Sequence, residues 1–125
     1  MRILAPISLG ELIDKITILE LKQELINDPA KLQNINNELD ELNSILKTLL
    51  IQPFPQSQRE ALKAVNRELW GIENFKRGCE LENNFDHKFI EAARQVYLKN
   101  DLRAQIKRDI NTKTGSAIVE EKSYK

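Results

Sequence analysis

The sequence predicts an all-α fold, an antiparallel bundle of about four helices with short extended N- and C-terminal segments that can pair. Three observations predict it. Apolar residues recur at spacings of three and four through most of the 125 residues. A Ser or Asp suited to cap a helix precedes each of four such runs. Punctuation rich in Pro or Asn (NDP, QPFP, NN) separates the runs. The length suits one domain with a real core, so 1–125 reads as a single helical unit.

Residues 1–6, MRILAP, are short, apolar and closed by a proline, as in an edge strand. The first helix is expected over 8–26, where Ser8 and Glu11 have the capping-box spacing. Its main apolar face is Leu9, Leu12, Ile13, Ile16, Leu19 and Ile26. A second stripe, Ile18, Leu21 and Leu25, lies on the opposite side. A helix apolar on two sides is packed from two directions, so it is central or sits between its own bundle and a partner. The second helix, 29–51, opens on Asp28 as N-cap with Pro29 at its first position. Leu32, Ile35, Leu39, Leu42, Leu46 and Leu49 give it an unbroken coiled-coil-like seam. The third helix, 57–77, opens at Ser57 and Glu60 and ends before Gly78. The fourth, 86–114, is capped by Asp86 and stopped by Gly115.

The tail 116–125 is not a featureless terminus. Ile118 and Val119 after a helix stop resemble the start of a strand. Lone strands leave backbone groups unpaired. The tail is therefore expected to pair with residues 2–5, within one chain or across a dimer, bringing Glu120, Glu121 and Lys122 near Ser8 and Glu11.

Composition narrows the function classes. Nineteen basic and nineteen acidic residues cancel, which gives no overall attraction to nucleic acid or to an anionic membrane. No stretch is long and apolar enough for membrane insertion. The start, MRILAPISLGELIDK, lacks a signal-peptide h-region, so a cytoplasmic protein is expected. One cysteine, Cys79, and one histidine, His87, leave no basis for a His/Cys zinc site. The four glycines are scattered and form no phosphate loop.

The segments PISLGELIDKITILELK, LKAVNRELWGIE, FIEAARQVYLKNDLRAQIKRDIN and GSAIVEEKSY resemble a small bacterial family of unknown function. Its start has the form V-P-V-S-L-G-E-L-x-D-K-x-x-I-L-E-x-K and its end the form G-S-A-I-V-E-E-K-S-Y. The resemblance covers nearly the whole chain except the region around 52–58. It implies pattern positions at Ser8, Gly10, Glu11, Asp14, Lys15, Asn66, Trp70, Glu73, Asn100, Lys107, Glu120 and Tyr124, among others. It implies no catalytic residues. It also implies the company of glycosyltransferase and surface-polysaccharide genes.

Three constellations stand out. On helix four the apolar line Phe89, Ala93, Val96, Tyr97 turns polar at Asn100, Arg103 and Lys107. With Lys15, and with Glu11, Asp14 and Glu120 balancing charge, these cations could hold an anionic ligand. The plainer alternatives are a solvated face, with Leu98, Leu102 and Ile106 taking over the seam, or a structural ion-pair network with the tail acids. Second, Asn66, Trp70, Glu73 and Arg77 share one line of helix three, suited to an interface or to ligand stacking. The plainer alternative is a tryptophan lying over the bundle edge, with Glu73 and Arg77 as an ordinary i,i+4 pair. Third, Glu11/Asp14 and Glu38/Glu41 could hold magnesium, but such spacings arise often in acidic helices and no metal or other cofactor is expected. The favoured reading is a non-catalytic homodimeric assembly module serving a protein partner, with Ile18, Leu21, Leu25, Asn66, Trp70 and Glu73 as its interface. The alternative is an enzyme or binder of a small anionic ligand.

Overall fold

The structure is a computed structural model and describes residues 1–118 and 120–122. It contains α1 (Leu9–Leu25), α2 (Pro29–Thr48), α3 (Gln56–Glu82) and α4 (His87–Thr114). No strand occurs among the described residues, and residues 1–7 are exposed. The N-terminal segment touches α2 through an Arg2–Glu41 ion pair. The tail reaches α1 by side-chain hydrogen bonds instead of a ladder. Val119 and 123–125, including Tyr124, lie outside the described residues.

α1 is the hub. It packs on all three other helices, α3 packs on α4, and α2 packs closely on α1 alone. Both packed sides draw on its main apolar face. Leu12, Ile16 and Leu19 meet Ile35 and Leu39 of α2. Ile13, of the same face, meets Leu62 and Val65 of α3 and Ile106 and Ile110 of α4. Of the second stripe only Leu21 is buried, while Ile18 is half-buried and Leu25 exposed. Leu32, Leu42 and Leu46 of the α2 seam pack against the first cluster. Leu49 follows the end of the helix and is exposed.

The helix boundaries follow local chemistry. The Asp28 and Asp86 carboxylates each accept two backbone N–H groups, as caps. α3 begins at Gln56 after Pro55, with no side-chain cap, and the Ser57 hydroxyl turns to Gln58. It also runs straight through Gly78 to Glu82. A glycine inside a helix costs only about 1 kcal/mol, too little by itself to end one. The true stop is Asn83, left-handed at φ 54°, a conformation that Asn tolerates. Gly115, at φ 66°, stops α4 as the sequence predicts.

At 1.5 Å per residue the 17 residues of α1 span roughly 26 Å, and the 27 and 28 residues of α3 and α4 roughly 41 Å. The α3–α4 hairpin therefore projects past the hub as an arm. Between Asn74 and Gln95 a single residue, Cys79, is buried.

Candidate functional site

The candidate site forms where α1 crosses α4. Gly10 makes the crossing close: a Cβ there would stand 2.6 Å from the Lys107 carbonyl oxygen. The Gly10 N–H donates to Asn111 Oδ1 at 2.7 Å and the Leu9 N–H to Ser116 Oγ at 3.3 Å. Ser8, the N-cap, accepts from the Glu11 N–H and donates its own hydroxyl to Glu120 Oε1 at 2.8 Å. The free N–H groups of a helix start thus find partners more than a hundred residues away in sequence, and the Glu120 carboxylate sits at the positive end of the α1 dipole.

One turn on, Asp14 is fully buried. Arg103 grips both carboxylate oxygens, with Nε on Oδ1 at 2.9 Å and Nη2 on Oδ2. Asn66 of α3 donates to Asp14 Oδ1 at 2.9 Å and to Thr17 Oγ1 at 3.1 Å, while the Thr17 hydroxyl donates to the Asp14 carbonyl at 2.8 Å. The remaining Arg103 amino group reaches Asn100 Oδ1 at 3.5 Å. A buried carboxylate needs this degree of satisfaction, because a bare charge there is very costly. The hydrogen bond to Asp14 is the main reason that the Arg103 guanidinium is held even more firmly protonated than usual, against an opposing pull from burial.

The next cation, Lys107, donates to Glu11 Oε2 at 2.5 Å and lies 3.4 Å from Glu120 Oε2. Burial is the strongest single influence on its ammonium and pulls its pKa down. The hydrogen bond to Glu11 and the charges of Glu11, Asp14 and Glu120 together outweigh burial and raise it. Lys15 stands at the rim, half exposed, 3.7 Å from Glu11. Arg108–Glu121 and Lys122–Asp101 pairs extend the same network along the tail.

Two grooves meet at Asn100 and Arg103. The first, about 860 Å³, runs along α4 beneath the tail, between Val96 and Asn111. The second, about 480 Å³, lies between α1 and the root of the arm and is lined by Ile18, Leu21, Leu69, Trp70 and a polar set that includes Asn66, Glu73 and Arg77.

The fold brings Glu11, Asp14, Asn100, Arg103, Lys107 and Glu120 into one network and leaves Lys15 at its edge. It also joins two constellations that are separate in the sequence, since Asn66 hydrogen-bonds Asp14. Of the apolar candidates, Leu21 is buried, Ile18, Trp70 and Glu73 are half-buried and Leu25 is exposed. Glu38 and Glu41 are exposed on α2. No group of three or more potential metal ligands converges among the described residues. Thr17, Asn111 and Ser116 also belong to the network. Thr17 is three residues after Asp14 and Asn111 continues the polar line of α4, so both carry a signal in the sequence. Ser116 is signalled by its place after the helix stop and by the GSAIVEEKSY motif of the family resemblance.

The molecule is an all-α protein in which one hub helix separates a short helical partner from a long hairpin. The chain belongs to the family of unknown function DUF6165, whose profile matches residues 3–125. No curated protein and no solved structure matches it. No helix among the described residues is long and apolar enough to cross a membrane.

Proposed function

We propose that the protein is a non-catalytic assembly module that forms a homodimer by pairing its α3–α4 arms. One observation carries this reading. The seam of α4 runs from Ile110 and Ile106, which are buried, to Leu102 and Leu98, which are 45% and 44% exposed. The same stripe leaves the core and continues bare, with Phe75 of α3 also open to water. A two-helix hairpin with one buried residue lacks a core of its own, and a second hairpin supplies one. A second copy suits the role because a two-fold interface needs only a self-complementary face. The arm tip carries Glu80, Glu82 and Asp86 with no Lys or Arg between 79 and 87. Tip-to-tip alignment therefore repels, and antiparallel pairing sets each tip toward the Arg94 and Lys99 end of the other arm. The company of surface-polysaccharide genes implied by the family resemblance gives the class of protein partner to seek.

The test is the solution mass of the full chain and of a Leu98→Asp/Leu102→Asp variant. A dimer for the unaltered chain and a folded monomer for the variant support the reading. A monomer at every concentration for the unaltered chain overturns it.

A second reading, an anionic ligand at Lys15, Arg103 and Lys107 with Glu11, Asp14 and Asn100 around it, rests on the groove beneath the tail. Asp14 and Glu11 already engage Arg103 and Lys107, so an incoming anion must take the place of the half-exposed Glu120 carboxylate. Anion binding that survives Arg103→Ala and Lys107→Ala unchanged removes this reading.

A further inference from the structure

The groove at the root of the arm differs from the one beneath the tail in a way that bears on ligands. Beneath the tail each cation that carries the network is committed to a carboxylate. At the arm root several polar groups are not committed. Asn66 is the most informative, being only 6% exposed. The orientation of its amide is dictated by its partners. The Asp14 carboxylate can only accept, and the Thr17 hydroxyl has already given its proton to the Asp14 carbonyl, so both must face the Asn66 NH₂. Asn66 Oδ1 is left over. It has no partner among the described residues, and Asn66 lines the groove.

Asn100, which lines the same groove, turns its oxygen toward Arg103, which leaves its NH₂ as a donor. A fixed acceptor and a donor lining one groove can match the hydrogen-bonding edge of a nucleobase. The facing material suits the rest of such a ligand. Ile18, Leu69 and Trp70 give an apolar lining, and an indole face is a stacking platform for a base. Arg77, on the same groove, has no hydrogen bond or ion pair among the described residues. Its planar guanidinium is a natural phosphate ligand. The volume, about 480 Å³, falls in the range of roughly 300–1,000 Å³ that small ligands occupy.

We infer that this groove is a binding site for a nucleoside monophosphate, with the base stacked on Trp70 and read by Asn66 and Asn100, and the phosphate held by Arg77. The inference does not depend on the dimer proposed above. Trp70 is the sole tryptophan of the chain, so its emission reports on this groove alone.

The experiment titrates the full-length protein with AMP, GMP, CMP and UMP, and separately with inorganic phosphate, by calorimetry and by Trp70 emission excited beyond nucleotide absorption. At least one nucleotide is expected to bind with a dissociation constant below about 1 mM and to change the emission saturably. Arg77→Ala is expected to weaken that binding tenfold or more, and Trp70→Ala to do the same by calorimetry. Both side chains are at least partly exposed, so the variants are expected to keep the native helical signal. The Leu98→Asp/Leu102→Asp variant is expected to bind as the unaltered chain does, which separates this site from arm pairing. The inference is overturned if no nucleotide binds in this range, if inorganic phosphate reproduces the whole effect, or if Arg77→Ala leaves the affinity unchanged.

Discussion

The hub crossing and the arm are built from the same two helices, α3 and α4, yet they are held by different physics. At the crossing the hairpin meets α1, and Ile13, Leu62, Val65, Ile106 and Ile110 close over a polar network in which every side-chain polar atom sealed from solvent has a partner among the described residues, Asn66 Oδ1 being open to solvent. In the arm the hairpin meets nothing. Phe75, Leu81, Phe85 and Ile90 are between 43% and 89% exposed, and the ion pairs are exposed i,i+3 contacts such as Arg94–Glu91. The difference teaches that stability here follows from the third helix. Where α1 is present, charge can be buried because it is fully paired. Where α1 ends, even leucine is left in water.

Substitutions at the two regions sharpen the contrast. The largest effect is expected for Asp14→Ala, which leaves the Arg103 guanidinium without its carboxylate and takes from Asn66 one of its two acceptors, while Thr17 keeps its bond to the backbone carbonyl of residue 14. A loss of about 3 kcal/mol in chemical denaturation is expected, since breaking a buried pair from one side leaves the other charge uncompensated. A loss near zero would mean that the network is dispensable. Gly10→Ala comes next. The new methyl meets the Lys107 carbonyl at 2.6 Å, a backbone atom that cannot swing aside. The helices must separate, at a cost of about 2 kcal/mol.

A smaller effect concerns pH. Folding raises the pKa of Lys107, so folding favours its protonated form. That contribution is fully present below the unfolded lysine value of about 10.4 and is lost as pH rises through the higher folded value. The denaturation midpoint should therefore fall in strongly alkaline solution, and Lys107→Met should flatten that fall. The smallest effect is expected in the arm. Leu81→Ser, at a side chain 89% exposed, should change the stability of a single chain by no more than about 0.5 kcal/mol. A large loss there, growing with protein concentration, would show that the arm is covered in solution and would break the contrast.

Much of this was legible in the sequence. The 3-4 periodicity located four helices, the Ser8, Asp28 and Asp86 caps fixed three starts, and Gly115 fixed the last stop. The sequence pointed to a helix packed from two directions, but assigned the second side to Ile18, Leu21 and Leu25, of which only Leu21 is buried, while the second cluster runs through Ile13. The turn from Val96 to Asn100, Arg103 and Lys107 marked a polar stretch on a core-facing line, but the sequence left open whether these cations pair with Glu11, Asp14 and Glu120 or face water while Leu98, Leu102 and Ile106 take over the seam. In the structure Leu98 and Leu102 are exposed. What the sequence could not show depended on relative placement. The run of α3 through Gly78 shows that a single glycine, at about 1 kcal/mol, does not end a helix by itself. The bareness of Leu98 and Leu102 is a matter of length, because a seam position is buried only if another helix reaches it. The joining of Asn66 to Asp14 requires the angle at which α1 crosses α3, which no local pattern encodes.

The start of α1 is completed by Asn111, Ser116 and Glu120. During vectorial synthesis α1 and its Ser8 cap are thus made long before the distant partners of its first turn exist. α1 and α2 can zip together early through the Leu12–Ile35–Leu39 cluster, but Asp14 waits for Arg103 and Gly10 waits for Asn111. Until then the emerging chain carries an unpaired carboxylate on what becomes its most buried helix, and a hub whose second side is open. Closure of the fold is a late event, set by the arrival of α4 and the tail, and any factor that attends the nascent chain meets α1 in this half-finished state.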